Sequence, residues 1–255
     1  MNIVVCAKEV VNVSDIRIDP KTNKPMLQGL DRKISDIDKN AVEEAVRIRE
    51  KLGGKITVLS VGPSEATETI KELLAMGADA AVVIPFQNTE NYDAVSSILA
   101  GAIGKMESCD LVLCGEASID LFSGQMGPRI AQKLGIPQMT YAKKVTAEEG
   151  KVTAERDLGD RQVTVESPYP ALVTVTKEIN EPRLPSLMEI LGAAGKPVEV
   201  WAADTLAEAD NLAPRVETVA VKGVPMERKN IVFDGELDDA VGKLVDSLAK
   251  DGVLG

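Results

Sequence analysis

A parallel β-sheet covered on both faces by helices is the fold class that this 255-residue sequence predicts. Three observations carry it. Apolar runs of strand length recur along the first part of the chain, patterns with helical spacing lie between them, and glycines close most of the units. Strands joined by helices run parallel, and such sheets bind ligands beyond the carboxyl ends of their strands.

The elements follow in order. Residues 2–7 form the first strand, and residues 56–61, 80–84, 111–114 and 139–145 repeat its type. Residues 40–52 place Ala41, Val42, Ala45, Val46 and Ile48 on one side of a helix that Gly53 and Gly54 stop. Ser64 is the expected N-cap of a helix carrying Ile70, Leu73, Leu74 and Met76 up to Gly77. Residues 91–106 repeat the stripe with Val95, Ile98, Leu99, Ala102 and Ile103. Past Tyr141 the period changes to two: residues 151–155 and 161–166, around residues 157–160, predict a hairpin, and residues 171–177 a further strand. Residues 180–187 hold two prolines that prevent regular structure, while Leu184, Leu187 and Met188 interrupt a polar context. Such a loop is either a connector or a binding knob whose stiffness lowers the entropy lost on docking. A strand-like piece with Trp201, a polar stretch over residues 202–215 and an amphipathic pattern over residues 237–248 complete the chain. The expected division is an α/β domain over residues 1–195 and an arm over residues 196–255.

With 44% hydrophobic residues and 3% aromatics the core is sizeable and aliphatic. Forty acidic against 29 basic residues give a net charge of −11, which repels nucleic acid and anionic membranes. No apolar run approaches the ~20 residues of a membrane span, and the first residues read as a strand rather than a basic leader. A cytoplasmic location is therefore expected. Cys6, Cys109 and Cys114 have neither disulfide-framework nor metal-pair spacing. Histidine is absent, which excludes Ser-His-Asp hydrolysis and makes a bound cofactor the economical carrier of any chemistry.

Residues 115–128, Gly-Glu-Ala-Ser-Ile-Asp-Leu-Phe-Ser-Gly-Gln-Met-Gly-Pro, follow an apolar strand and open into a helical pattern. A small-residue turn before a helix presents unpaired N–H groups to an anion, so it suits a diphosphate, although a tight strand-to-helix connection has the same composition. The dinucleotide-binding glycine fingerprint after the first strand and the Walker A loop are both missing.

These residues resemble the β subunit of electron transfer flavoproteins along nearly the whole chain. The shared stretches are Val5-Cys6-Ala7-Lys8, Asn40-Ala41-Val42-Glu43-Glu44-Ala45, Val61-Gly62-Pro63, Leu74-Ala75-Met76-Gly77-Ala78-Asp79, Ile119-Asp120 and Gly124-Gln125-Met126-Gly127-Pro128. Gly135-Ile136-Pro137-Gln138, Thr140-Tyr141 and Asn180-Glu181-Pro182-Arg183 complete the match. The sequence departs from the family where an Asn-Pro is replaced by Ser35-Asp36 and an Asp-Gly-Asp by Asp120-Leu121-Phe122.

The resemblance implies a Rossmann-like adenine-nucleotide-binding domain with a hairpin, a partner-recognition loop and a C-terminal arm that packs on an α subunit carrying an exchangeable FAD. It implies nucleotide contacts at Cys6, Ser35, Asp38, Val61, Gly115, Ala117, Asp120, Ser123, Gly124, Gln125 and Met126, with Asp120, Gly124 and Gln125 nearest the phosphates and Lys8 supplying charge. Pro182, Leu184, Leu187 and Met188 are the expected recognition residues, Leu187 matching the family's leucine that enters a pocket on a flavoprotein dehydrogenase. The nucleotide is AMP in non-bifurcating members and a second FAD in bifurcating ones. Residues 19–25, 38–41 and 201–204 resemble the bifurcating anaerobic type, which favours FAD, hydride exchange with NAD(H) and a low-potential carrier such as ferredoxin. The alternatives are a non-redox β subunit with structural AMP and a nucleotide sensor of the universal-stress type.

Overall fold

The computed structural model of the chain describes residues 1–214, 216–224 and 229–254. Its first strand, β1 (Asn2–Cys6), is buried because Ile3, Val4 and Val5 pack on both faces of the sheet. Four short strands, β2 (Glu9–Val11), β3 (Arg17–Ile18), β4 (Pro25–Met26) and β5 (Arg32–Ile34), then form two small antiparallel ladders outside the main sheet. Helix α1 (Asp36–Leu52) starts one turn earlier than its apolar stripe predicts, because Ile37 and Asp38 are themselves buried beneath it. Asp36 and Asp38 in its first turn and Arg49 and Lys51 in its last suit the helix dipole.

Strands β6 (Lys55–Gly62) and β7 (Ala80–Pro85) flank a broken helix, α2 (Ala66–Thr69) and α3 (Lys71–Met76). The sequence predicts one helix capped by Ser64. Instead a turn closed by Ala66 N–H on Pro63 O precedes the helix, and the Ser64 hydroxyl donates to Glu65. Helix α4 (Tyr92–Lys105) is capped as expected, with Asn91 Oδ1 accepting from Ala94 N–H at 3.2 Å. Next come β8 (Leu111–Gly115), α5 (Met126–Leu134), β9 (Gln138–Glu148), the hairpin of β10 (Lys151–Asp157) and β11 (Gln162–Pro168), and β12 (Ala171–Val175).

The nine-stranded sheet has the order β11-β10-β9-β12-β8-β1-β6-β7 with β13 (Val198–Val200) at the far edge, and only the hairpin's pairings are antiparallel. From β1 the chain runs outward to β6 and β7, then crosses back to β8 on the other side of β1. The carboxyl ends of β1 and β8 thus border a topological switch point, where a crevice opens. One apolar core lies under α1 and α3, and a second under α4 and α5.

The sequence-based boundary after residue 195 does not coincide with a break in this packing. β13 pairs in parallel with β7, and Trp201, Ala203, Leu206 and Leu212 pack on the second core up to α7 (Ala209–Leu212). Arg215, the end of the expected polar stretch, lies outside the described residues. The terminal helix α8 (Leu237–Lys250) buries none of its residues. The stretch expected to be irregular after Pro182 also changes at Leu187, where α6 (Leu187–Ala193) begins. No helix among the described residues is long and apolar enough to cross a membrane.

Candidate functional site

The cleft at the switch point encloses about 670 Å³ of empty space, part of it open to solvent. Of the residues expected at a nucleotide site, Cys6, Lys8, Asp38, Val61, Gly115, Ala117, Ser123, Gly124, Gln125 and Met126 line it. Ser35 does not; it is fully buried, and its N–H donates to Lys8 O. Asp120 does not either, because its carboxylate turns to Lys8, whose Nζ lies 2.7 Å away. This pairing neutralises the charge that Lys8 was expected to offer a phosphate. The residues that sequence reasoning missed are Thr89, Tyr92, Val95 and Leu99, from the segment before α4 and its first two turns. Tyr92, Val95 and Leu99 follow the spacing of one helix face, a signal that reads equally as core.

The loop between β8 and α5 supplies the polar wall. Glu116 N–H is bonded to Val175 O, Leu121 N–H to Asp120 and Phe122 N–H to Ser118 O. The N–H groups of Ser123, Gly124, Gln125 and Met126 have no acceptor among the described residues, and they gather at the N-terminus of α5. Unpaired donors on the positive end of a helix dipole suit an anion. Gln125 accepts from Arg129 through Oε1 at 3.0 Å, which leaves its side-chain amide nitrogen as a further donor. Gly124 takes φ +63°, a conformation costly to any residue with a Cβ. Phe122 (φ 47°) and Tyr141 (φ 58°) are also left-handed, and the Tyr141 hydroxyl would lie 3.5 Å from a Cβ at position 124. Backbone strain of this kind gathers at functional sites.

Asp38 ties the crevice together. Its carboxylate accepts from Lys8 N–H at 2.8 Å and from Gly115 N–H at 3.1 Å, joining the ends of β1 and β8 to the first turn of α1. Burial pushes its pKa up to about 7, against the lowering effect of those two hydrogen bonds. A Cβ on Gly115 would stand 2.5 Å from Asp38 Oδ1, so this close approach requires glycine. Burial also raises Asp120, but the hydrogen bonds from Lys8 and Ser118 outweigh it and hold the carboxyl below its usual range. Cys6 and Cys114 face one another in register on β1 and β8 at the floor of the cleft. The Cys6 thiol is held well above its usual pKa by its hydrogen bond with Cys114 and by burial, so it acts as an inert apolar lining.

A second feature lies alongside α1, tied to it from Asn40 to Glu50. Leu184 is 94% exposed, Leu187 71% and Met188 76%, which rules out a core role for all three, and Pro182 precedes them. Helix α6 starts here through a capping box: Ser186 Oγ accepts from Glu189 N–H, and Glu189 accepts from Ser186 N–H at 2.7 Å. The helix extends the apolar surface to Ile190 and Leu191 while Ala193 is buried.

The chain is similar to known proteins over most of its length. Residues 26–206 match the family described as "Electron transfer flavoprotein domain". The chain is 41% identical to the electron transfer flavoprotein subunit beta of Thermoanaerobacterium thermosaccharolyticum, over 97% of this chain and 98% of that one. It is 37% identical to the subunit beta of Clostridium acetobutylicum, over 94% and 92% of the two chains. It is also 37% identical to subunit CarD of the caffeyl-CoA reductase-Etf complex of Acetobacterium woodii, over 79% and 78%.

Proposed function

The chain belongs to the electron transfer flavoprotein family as a β subunit, and on that premise we propose that its switch-point cleft binds FAD and that the subunit works in flavin-based electron bifurcation. β subunits of this family pair with an α subunit. The unpartnered N–H groups of residues 123–126 are the observation that carries the cofactor reading. A diphosphate is an anion needing several donors in a small turn, and this turn offers four backbone donors with Gln125 as a fifth. The apolar part of the lining, with Cys6, Val61, Tyr92, Val95 and Leu99, suits a planar adenine. The residues present therefore fit the nucleotide half of FAD.

When bound, the flavin supplies the redox chemistry, exchanging a hydride with NAD(H) and passing electrons on singly. This chain's residues hold, orient and shield. The turn holds the diphosphate, Asp38 fixes the spacing of the cleft walls, and the Lys8–Asp120 pair keeps the wall close to neutral. The relative from a caffeyl-CoA reductase-Etf complex supports an acyl-CoA dehydrogenase or reductase as the electron-exchange partner, docked through the exposed apolar side chains of residues 184–191. The low-potential carrier in this reading is ferredoxin, which the resemblance to bifurcating members implies.

Acid extraction of the purified complex with its α subunit, followed by chromatography of the released nucleotides, tests the reading. FAD alone supports it. FAD with an equal amount of AMP would replace it with a single-flavin carrier.

A further inference from the structure

The docking segment could be a mobile loop that orders on its partner, but the polar groups beneath it say otherwise. Arg183 makes a two-pronged contact with Glu43 of α1, Nε to Oε2 at 2.8 Å and Nη2 to Oε1 at 3.2 Å, and reaches Glu50 Oε1 with Nη1 at 2.8 Å. The Arg183 N–H also donates to Glu43 Oε2, and Arg47 donates to Glu43 Oε1 at 2.7 Å. One turn earlier on the helix, Asn40 Nδ2 donates to Asn180 O at 2.7 Å and to Lys177 O at 3.2 Å. Asn180 Nδ2 returns bonds of 3.1 Å to Asn40 O and to Glu44 Oε2.

The side chains on the helix are buried: Asn40 is 3% and Glu43 3% exposed. Burial raises the Glu43 carboxyl, yet the hydrogen bonds from Arg183 and Arg47 hold it below its usual range, so it is charged under the loop. A buried charge is costly unless it is fully paired, and here every pairing beyond Arg47 is spent on the segment that carries the exposed leucines. Arg183 directly precedes Leu184, and Ala193 buries the far end of α6, so the apolar surface is held at both ends.

We propose that Arg183 with Glu43, and Asn180 with Asn40, are positioning residues that lock the docking segment onto α1 in its binding conformation before the partner arrives. The inference rests on the reading of residues 184–191 as the docking surface. A segment fixed in advance loses little conformational entropy on binding. The same helix carries Asp38 in its first turn, so one rigid element sets both the nucleotide cleft and the docking surface.

The test uses the complex of this chain with its α subunit, in the wild type, Arg183→Gln, Arg183→Lys, Leu187→Ala and Arg183→Gln/Leu187→Ala forms. It reads hydrogen exchange of residues 181–193, electron delivery to an acyl-CoA dehydrogenase as the varied partner, NADH-dependent dye reduction, and flavin content. Arg183→Gln is expected to speed exchange in that segment at least tenfold and raise the KM for the dehydrogenase at least fivefold. Its kcat, dye reduction and flavin content should stay within twofold. Arg183→Lys, which keeps the charge but not the fork, should fall between the two. If the clamp acts through the leucine, the double variant will be no worse than Leu187→Ala. Unchanged exchange and KM in Arg183→Gln, or an equal fall in every readout, overturns the inference and leaves the docking reading standing. Unchanged KM in Leu187→Ala overturns the docking reading, and the positioning inference with it.

Discussion

Replacing Gly115 by alanine probes the most tightly built point of the cleft. Gly115 is not among the residues at positive φ, so the substitution adds no backbone strain and acts through space alone. The new Cβ would stand 2.5 Å from Asp38 Oδ1 and 3.1 Å from both the carbonyl carbon and Cγ2 of Ile37. Ile37 belongs to the first turn of α1 and is buried, so the helix cannot retreat cheaply. The Asp38 carboxylate must turn away, giving up its bond from Gly115 N–H and straining the one from Lys8 N–H. Above pH 7, where Asp38 is ionised, a hydrogen bond to its charged group contributes about 1.5–3 kcal/mol, and overpacking a tight site costs about 1–3 kcal/mol. The two overlap, because relief of the clash is what breaks the bond, so a loss of about 3 kcal/mol is expected. For a chain of this size that is a fall of roughly 6–12 °C in Tm. Urea unfolding followed by circular dichroism, together with the nucleotide content of the complex, measures both consequences. A variant within about 0.5 kcal/mol of wild type, the range of an ordinary surface substitution, and with full nucleotide content would refute the claim that Asp38 and Gly115 set the cleft.

Three further predictions follow from single features. Gly124→Val places a β-branched residue at φ +63° where the Cβ itself meets only ordinary contacts, so the complex should fold but bind FAD at least tenfold more weakly by equilibrium dialysis; undiminished affinity would show that the turn does not hold the phosphates. Asp38 has a pKa of about 7 in the folded chain against an ordinary value of 3.8, so the folded state binds the proton more readily and the contribution of this group to stability rises as pH falls from about 7 to 4. In urea unfolding at pH 8, 6 and 5 the wild type should gain on Asp38→Asn as pH falls, by at most ~1.4 kcal/mol per pH unit, and parallel curves would contradict the buried titration. Leu187→Ala removes an exposed anchor, so electron delivery to the dehydrogenase should weaken by about 2 kcal/mol, roughly thirtyfold, with no change in Tm; a lowered Tm would make Leu187 a folding residue instead.

What the sequence made legible was governed by local pattern. The strands of the parallel sheet and the stripes of α1 and α4 follow from apolar spacing, and the small residues of the turn before α5 pointed to the place where unpartnered N–H groups gather. The short ladders of β2 to β5 were not legible, because two- and three-residue strands carry no period. Helix α6 was hidden by the prolines at 182 and 185, although Ser186 and Glu189 spell a capping box three residues apart. Asp120 shows the limit of reading a site from its motif. The residue type suggests a place beside the phosphates, but the ion pair with Lys8, 112 positions away in the chain, turns it aside. The ties from Asn40 and Glu43 to Asn180 and Arg183 were equally invisible, since each partner alone looks like a solvated residue.

On the proposed reading, this chain's own cleft holds a second FAD beside that of the α subunit. Flavin per heterodimer decides the matter, measured in the wild type and in Gly124→Val after reconstitution with FAD and gel filtration to remove weakly held flavin. Two FAD are expected in the wild type, both reducible by NADH, and one in the variant, which retains the α-subunit flavin. One FAD in both proteins, or two in both, would contradict it.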